Sequence, residues 1–293
     1  MSTYTPYLAL GITGDQVIDL LADDALRARW DRLPLGFTVP GIERLDPAAT
    51  SSYSLEATVT ATFLAAGSGR ARLLAPVSFG RDHPYNVARR SASAGHLADG
   101  RIGLVFTERH SPLPAGEPWL RPGEDPPHRF CDGLGAVRDL EQSWPYDAVL
   151  ADRTAGVFVD SRRIDRVDAD GAYRIAGPLT VPEPATGAGV LAWYSPRGGP
   201  TPVPADLSIG PDGQVVVFDR EERTPSWTGA PDGLLLNGRP GETLPALLDA
   251  AEHLLGAGLR PTPPGPLRPA LGVPLAGRTL DPVPAFDHAE ASR

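Results

Sequence analysis

Short apolar runs alternate with amphipathic stretches along most of this chain, and that alternation is what most limits its fold. Parallel strands joined by crossover helices produce such a pattern. Eight segments have the length and apolar character of strands, at residues 7–12, 35–39, 72–78, 101–107, 190–194, 205–209, 214–218 and 233–236. They predict an α/β fold, a (β/α)8 TIM barrel. The barrel is expected to be reduced or irregular around strands six and seven, because no convincing helix separates the last three segments.

Candidate helices follow several of these strands. Thr13 and Gln16 have the spacing of a capping box at the start of the first helix. Leu55, Val59 and Phe63 lie four residues apart on a second helix, as the apolar side of a helix does. Further helices are predicted over residues 84–97, over the apolar positions 130, 134, 137, 140 and 144, and over residues 244–255.

The segments predict one main domain. A barrel domain is expected over residues 1–258, with an insertion at 146–188 that carries a small hairpin near residues 171–175. Residues 259–293 are rich in proline, and we expect them to pack as an extended arm or to stay loose. Residues 111–127 form a proline-rich loop that is long enough to need a functional or a disordered explanation.

Composition excludes several classes of chemistry and of partner. All 27 basic residues are arginine, so no lysine is present for a Walker A loop, a pyridoxal Schiff base or a lysine nucleophile. The single cysteine, Cys131, rules out an internal disulfide and a multi-cysteine metal site. A net charge of −9 without a basic cluster argues against nucleic acid. No apolar run approaches the roughly 20 residues of a membrane span, so we expect a cytoplasmic protein without membrane contacts.

The familiar motifs of hydrolytic and metal-dependent catalysis are absent from the sequence. It has neither a Gly-x-Ser-x-Gly nucleophile elbow nor a His-Glu-x-x-His pair. Asp168 and Asp170 precede Gly171 as in a calcium loop, but Arg166 and Gly177 then occupy the two positions that need carboxylates. We therefore predict no metal site, and the chemistry must come mostly from an organic cofactor or be absent.

A series of motifs occurs in a fixed order between residues 54 and 199 and again near the end. Residues 83–90, His-Pro-Tyr-Asn-Val-Ala-Arg-Arg, begin a helix, and an Asp-Gly turn within residues 95–103 leads into a strand. The later motifs are Arg129-Phe130 and residues 172–179, 231–234 and 267–272. Together they resemble the bacterial luciferase-like flavin-dependent monooxygenases, and in particular the nitrilotriacetate monooxygenase-like branch.

The resemblance implies a TIM barrel, usually dimeric, that binds FMN at the carboxyl ends of its strands. Members of this family take reduced FMN from a separate NAD(P)H-dependent flavin reductase, react it with O₂ and oxygenate a small organic substrate. The cofactor supplies the hard chemistry, and which side chains are catalytic is unknown from the sequence. The implied cofactor-binding residues of this chain are Ser78, Thr107, Arg129, Phe130 and Ser195.

The chain departs from the family pattern at three flavin-site positions. Phe79 replaces a threonine, Val105 an asparagine and Phe130 a tyrosine. Each change removes a hydrogen-bond partner, at a cost of about 0.5–1.5 kcal/mol. The side chains of Phe79, Trp193 and Tyr194 are also large enough to fill the pocket, although Trp and Tyr can stack on a flavin.

Two interpretations follow from this mixture. The first is an FMN-dependent monooxygenase with a trimmed site, favoured by the retained hydroxyl and guanidinium groups. The second is a catalytically impaired relative that acts as a non-catalytic or flavin-binding subunit of a dimer, favoured by the three replacements. The first predicts a homodimer with its own activity, and the second predicts pairing with a complete paralogue.

Overall fold

The computed structural model describes residues 5–108, 119, 126–220 and 231–286. The strands of this part, in chain order, are β1 (Tyr7–Ile12), β2 (Thr38–Pro40), β3 (Leu73–Pro76), β4 (Ile102–Thr107), β5 (Val149–Asp152), β6 (Val157–Val159), β7 (Asp168–Asp170), β8 (Arg174–Ala176), β9 (Leu191–Tyr194), β10 (Leu207–Ile209), β11 (Val215–Val217) and β12 (Gly233–Asn237). The helices are α1 (Gly14–Ala22), α2 (Asp24–Arg32), α3 (Ala57–Ala66), α4 (Pro84–Leu97), α5 (Pro126–Gln142), α6 (Leu244–Gly256) and α7 (Leu267–Leu271). The loop predicted at 111–127 lies almost wholly outside the described residues.

Eight of the strands close into a barrel in the order β1-β12-β11-β10-β9-β4-β3-β2. Neighbouring strands run parallel, from Tyr7 opposite Gly233 at the closing seam to Thr107 opposite Tyr194 between β4 and β9. The predicted TIM-barrel fold is confirmed. Its irregular part is where the sequence predicts it, since the described residues between β9 and β12 contain no helix.

Side-chain alternation divides the apolar core into an inner and an outer layer. Tyr7 and Ala9 of β1 pack in the barrel interior with Val105 of β4, whereas Leu8 and Leu10 pack outward under the helices. A residue's place in this alternation therefore decides whether it faces the barrel axis or the helical layer. This distinction sorts the candidate site residues below.

The second strand begins at Thr38, later than the predicted residue 35. The carbonyl oxygens of Leu35 and Gly36 accept hydrogen bonds from the buried Arg72 side chain, and Nε lies 2.8 Å from the Gly36 oxygen. A Cβ at Gly36 would come within 2.3 Å of the Tyr7 ring. The carbonyl groups of these two residues thus bond an arginine side chain, although the Gly36 amide still donates to Leu8 of β1.

The first helix begins as its sequence predicts. Thr13 Oγ1 accepts from the Gln16 amide (3.4 Å), and Gln16 Oε1 accepts from the Thr13 amide (3.0 Å). Gln16 Nε2 also donates to the Glu242 carbonyl (2.9 Å), which ties this helix start to the loop after β12. The predicted capping box therefore also fastens the closing seam of the barrel.

The apolar spacing on α3 does not mark its buried side. Val59 and Phe63 are 66% and 61% exposed, while Ala61, Leu64 and Ala65 are buried. Small side chains let the helix approach the barrel closely, so the alanine-rich side of the helix packs against the barrel. The two larger residues are left facing outward.

The insertion contains two hairpins rather than one. The pair β7–β8 corresponds to the hairpin predicted near residues 171–175, and β5–β6 is an additional antiparallel pair. Leu150, Val157 and Phe158 of the additional hairpin are largely exposed. Because this hairpin has no buried face, its strands need no alternation of apolar and polar residues, and that alternation is the sequence signal of a half-buried strand.

The proline-rich arm forms structure at the amino end of the barrel. Residues 267–271 form α7, and Leu267 is fully buried in the inner core, where it packs over Gly103 beside Leu74. The expectation of an extended or loose segment is wrong for these residues, because they form a helix whose Leu267 and Leu271 side chains pack in the inner core. The boundary between a domain at 1–258 and an arm at 259–293 stays a prediction.

A buried ion cluster lies where α5 and α7 meet the barrel. Arg138 and Arg268 donate to the Asp206 carboxylate at 2.6 and 2.8 Å. Arg138 also donates to Glu141 (3.2 Å), which accepts from the Ser91 hydroxyl (2.5 Å). Burial raises the pKa of Glu141 above its usual value. Two arginines and two carboxylates thus balance each other in the interior.

Candidate functional site at the carboxyl end of the barrel

Three of the predicted site residues lie at the ends of adjacent strands. Ser78 follows β3, Thr107 ends β4 and Ser195 follows β9. Because all barrel strands are parallel, these ends lie on one face of the barrel, the face that carries active sites in TIM barrels. Ser78 and Thr107 are 8% and 5% exposed, and alternation directs Thr107 toward the barrel axis with Val105.

The two serine hydroxyls are already bonded within their own loops. Ser78 Oγ accepts from the Gly80 amide (3.2 Å), and Ser195 Oγ donates to the Gly198 carbonyl (2.6 Å). The cavity beside Ser195 has a volume of about 20 Å³ and is also lined by Ser208 and Gly210. Such a volume holds one water molecule. Ser195 would have to give up its loop bond to bind a phosphate.

Arg129 and Phe130 lie on α5, behind the wall of β4 and β9. The Arg129 guanidinium sits 4.9 Å from the centre of the Phe130 ring, whose own centre is 5.1 Å from that of Trp193. Phe79 packs on Phe106 in the same outer layer, at 4.9 Å. Phe79 and Trp193 therefore hold α5 against the barrel and do not fill its interior.

Tyr194, in contrast, lies in the barrel interior and belongs to a polar group that the sequence analysis missed. Asn237, at the end of β12, donates from Nδ2 to Asp46 Oδ2 (3.0 Å), and Asp46 Oδ1 accepts from the Ala48 amide (2.9 Å). Burial and then the Asp46 carboxylate raise the pKa of the Tyr194 hydroxyl, while the Asn237 amide acts in the opposite direction. The hydroxyl therefore stays protonated at neutral pH.

Strand alternation could have revealed part of this group. Tyr194 and Asn237 are both in phase with inward-facing residues, Ala192 and Leu235 respectively. Asp46 gives no such signal, because it lies in the loop after β2, 191 residues away from Asn237 in the chain.

The loop after β2 also covers the barrel mouth with apolar side chains. Ile42, Leu45 and Ala49 are buried in the same continuous cluster as the inward-facing Tyr194 and Ile209. We call residues 41–49 the mouth segment. It fills the end of the barrel axis, the space between the strand ends that carry the predicted site residues.

The described residues show neither a metal centre nor a membrane span. No group of three or more His, Cys, Asp or Glu side chains is arranged to hold a metal ion in this part of the chain. None of the helices described is both long and apolar enough to cross a bilayer. The barrel mouth is the candidate site because its strand ends carry hydroxyl, amide and carboxylate groups.

Comparisons with known proteins agree with this fold. No family model matches the chain. It is 33% identical over 121 residues to dibenzothiophene-sulfone monooxygenase of Rhodococcus erythropolis, a match that covers 39% of this chain and 27% of that protein. It is 27% identical over 181 residues to N-acetyl-S-(2-succino)cysteine monooxygenase of Bacillus subtilis, covering 58% of this chain and 39% of that protein. The chain thus matches well under half the length of these curated relatives.

Among solved structures, the barrel superposes on EDTA monooxygenase from Chelativorans sp. BNC1 with a TM-score of 0.60 and 15% identity, over 92% of this chain and 98% of that one. This likeness shows the fold, and the two sequence relatives align at higher identity over a shorter stretch. The closed parallel barrel and these relatives together agree with the ordered motifs of the sequence. In its ordered motifs, its sequence relatives and its fold, the chain is similar to the luciferase-like monooxygenases.

Proposed function

We propose that this protein is an FMN-dependent monooxygenase of the two-component type. It would act in the cytoplasm, take reduced FMN from a separate NAD(P)H-dependent flavin reductase and use O₂ to oxygenate a small organic substrate. The observation that carries the proposal is the 33% identity to dibenzothiophene-sulfone monooxygenase, in a chain whose barrel has hydroxyl groups at the strand ends. The flavin would supply the oxygen chemistry, and the protein would bind and orient the reactants.

The proposed cofactor-binding set is Ser78, Thr107, Arg129, Phe130 and Ser195. Thr107 has the most direct support, because it is buried, faces the barrel axis and is opposite Tyr194 in the ladder. Ser195 remains the proposed phosphate ligand, and Arg129 with Phe130 completes the set from α5. A flavin ring does not fit the barrel mouth as the structure has it, since the mouth segment fills that space.

An anaerobic titration with reduced FMN, followed by oxidised FMN, tests the proposal. We expect saturable, micromolar binding of the reduced form. Thr107→Val should weaken it about two- to tenfold, the range of one hydrogen bond of about 0.5–1.5 kcal/mol. Thr62→Val is the matched control, because the Thr62 hydroxyl donates to the Thr58 carbonyl within α3, away from the strand ends.

The absence of saturable binding at millimolar reduced FMN would contradict the proposed function. The barrel would then be a scaffold, and the search would turn to a complete paralogue as its partner. Equal weakening by Thr107→Val and Thr62→Val would leave flavin binding in place but remove Thr107 from the site.

We also propose a dimer, either a homodimer or a heterodimer with a paralogue. Val59 and Phe63 lie one turn apart on α3 and are mostly exposed, and contiguous exposed apolar residues mark interaction surfaces. Sedimentation velocity should show a dimer for the wild type and a monomer for the double variant Val59→Asp, Phe63→Asp. A wild type that is monomeric alone would contradict the homodimer, and one that also stays monomeric when mixed with a complete paralogue would contradict the heterodimer.

A further inference from the structure

The barrel mouth is closed by a short piece of chain that folds mainly on itself. The amides of Arg44, Leu45 and Asp46 bond to carbonyls within the mouth segment, and the Ala49 amide bonds to the Asp46 carbonyl. The segment begins at Gly41, which has a φ of +80°, a backbone conformation that suits glycine. Because its backbone bonds are local, the segment keeps them if it moves as a unit.

Few polar contacts fasten the mouth segment to the rest of the protein. Glu43 Oε2 accepts from the Gly14 amide (3.1 Å), and Arg44 donates to the Leu55 carbonyl. The Gly41 amide also donates to the Ile12 carbonyl at the end of β1 (2.8 Å). Further along the segment, Asp46 accepts from Asn237, which lies at the end of β12 opposite Gly11 of β1, and the Asp46 carboxylate acts on the nearby Tyr194 hydroxyl.

We propose that the mouth segment is a lid, and that Asp46, Asn237 and Tyr194 form a latch that holds it shut. The latch joins the loop after β2 to β12, which neighbours β1, and to β9, which is separated from β2 by β3 and β4. When it opens, Ile42, Leu45 and Ala49 leave the end of the barrel axis. The vacated space is apolar, is bordered by the Thr107 and Tyr194 hydroxyls and suits a flat aromatic ligand.

This inference rests on the proposed function for the identity of that ligand. The disagreement between a flavin site and a filled mouth is resolved if the open lid is the binding form. Asp46 and Asn237 then act as positioning residues for the lid, without contacting the flavin in the closed form. The apparent Kd of the ligand equals its Kd for the open form divided by the open fraction.

Cysteine labelling measures the opening without any flavin. Ala49, 7% exposed in the closed form, is replaced by Cys in a chain that also carries Cys131→Ser, because Cys131 is exposed. The labelling rate of Cys at residue 49 by a maleimide then reports the open fraction under native conditions. We expect Asp46→Ala to raise that rate about tenfold or more, as for the loss of a hydrogen bond to a charged group.

The matched control is Asp249→Ala. Asp249 lies on α6, outside the mouth segment, and its exposed carboxylate pairs with Arg29. We expect no change in the labelling rate from it. Asn237→Ala removes the other half of the latch and should act in the same direction as Asp46→Ala. If Asp46→Ala does not fold, Asp46→Asn keeps an acceptor for the Ala48 amide, removes the charge and replaces the oxygen that accepts from Asn237 with an NH2 donor. Equal labelling rates in latch and control variants would overturn the lid.

Titration of the same variants with reduced FMN separates the lid from the function. A latch variant should bind reduced FMN more tightly, by the same factor as its gain in labelling rate. Residues that merely support the fold would, when replaced, weaken binding or leave it unchanged, and this result would overturn the latch. Faster labelling without any flavin binding would keep the mobile lid but refute the proposed function. Flavin binding by the wild type with unchanged labelling in the variants would keep the function and refute the lid.

Discussion

The buried ion cluster at the amino end of the barrel predicts a large effect from a change of one atom. Asp206→Asn keeps the shape of the side chain and an acceptor for the Leu191 amide, which lies 2.8 Å from Oδ2. It removes the charge that Arg138 and Arg268 share. The two guanidinium groups, 1% and 5% exposed, keep their bonds to backbone carbonyls, but Glu141 is then the one carboxylate paired with them in the described part of the chain.

The magnitude follows from burial. Breaking a buried ion pair costs about 3–5 kcal/mol, because an uncompensated charge remains in the interior. We expect a loss of that size in the free energy of unfolding, or a fall of roughly 6–20 °C in Tm. Asp249→Asn removes the same charge from an exposed pair with Arg29, which is worth at most about 1 kcal/mol.

The measurement is the unfolding of the wild type and both variants by guanidinium chloride at pH 7, followed by circular dichroism. Refolding by dilution must retrace each curve, so that the midpoints report equilibrium stability. A loss from Asp206→Asn that is no greater than the loss from Asp249→Asn would refute this reasoning. The cluster would then be hydrated or able to rearrange around one positive charge.

Two further predictions concern the packing of α5 and the titration of Glu43. A Cβ at Gly133 of α5 would come within 2.5 Å of the Phe79 ring, so Gly133→Ala should cost about 1–3 kcal/mol in unfolding free energy. Gly135→Ala, two residues along, meets nothing within 4 Å and should stabilise by about 0.5–1 kcal/mol; urea unfolding that ranks the two alike would contradict the packing of α5. Burial raises the pKa of Glu43 above 4.5, so its stabilising contribution is complete below pH 4.5 and is lost as the pH rises through the folded pKa. The free energy of unfolding, measured from pH 4 to 7, should therefore decrease less steeply with rising pH for Glu43→Gln than for the wild type.

The barrel itself could be predicted from sequence because its signals are local. Apolar runs predict eight strands within a few residues of their observed bounds, and the pair Thr13 and Gln16 predicts the start of α1. The start of β2 was predicted at residue 35 in error, and the cause is long-range, since the Arg72 side chain donates to the carbonyl groups of Leu35 and Gly36. The error on α3 has a packing cause, because apolar spacing cannot show that Ala61 rather than Phe63 faces the barrel.

The candidate site could be predicted only in part, for similar reasons. Strand ends place Ser78, Thr107 and Ser195 on one face, and a parallel barrel requires this. Strand alternation separates Trp193 from Tyr194, but the sequence does not show that the Ser195 hydroxyl bonds its own loop. The bond between Asp46 and Asn237 depends on the closure of the whole barrel, and a local pattern cannot encode it.

The contacts at the amino end of the barrel have a consequence for how the protein is made. The Arg260 amide donates to the Pro6 carbonyl (2.9 Å), and the Leu267 amide donates to the Gly100 carbonyl (2.9 Å). The first strand therefore gains its second neighbour and the residues that cover its amino end only about 260 residues after its own synthesis, roughly 10–50 s at ordinary rates of translation. Until then the nascent sheet has two open edges, which are prone to pair with other chains. Yield in a cell should therefore depend on chaperones that shield those edges while synthesis finishes.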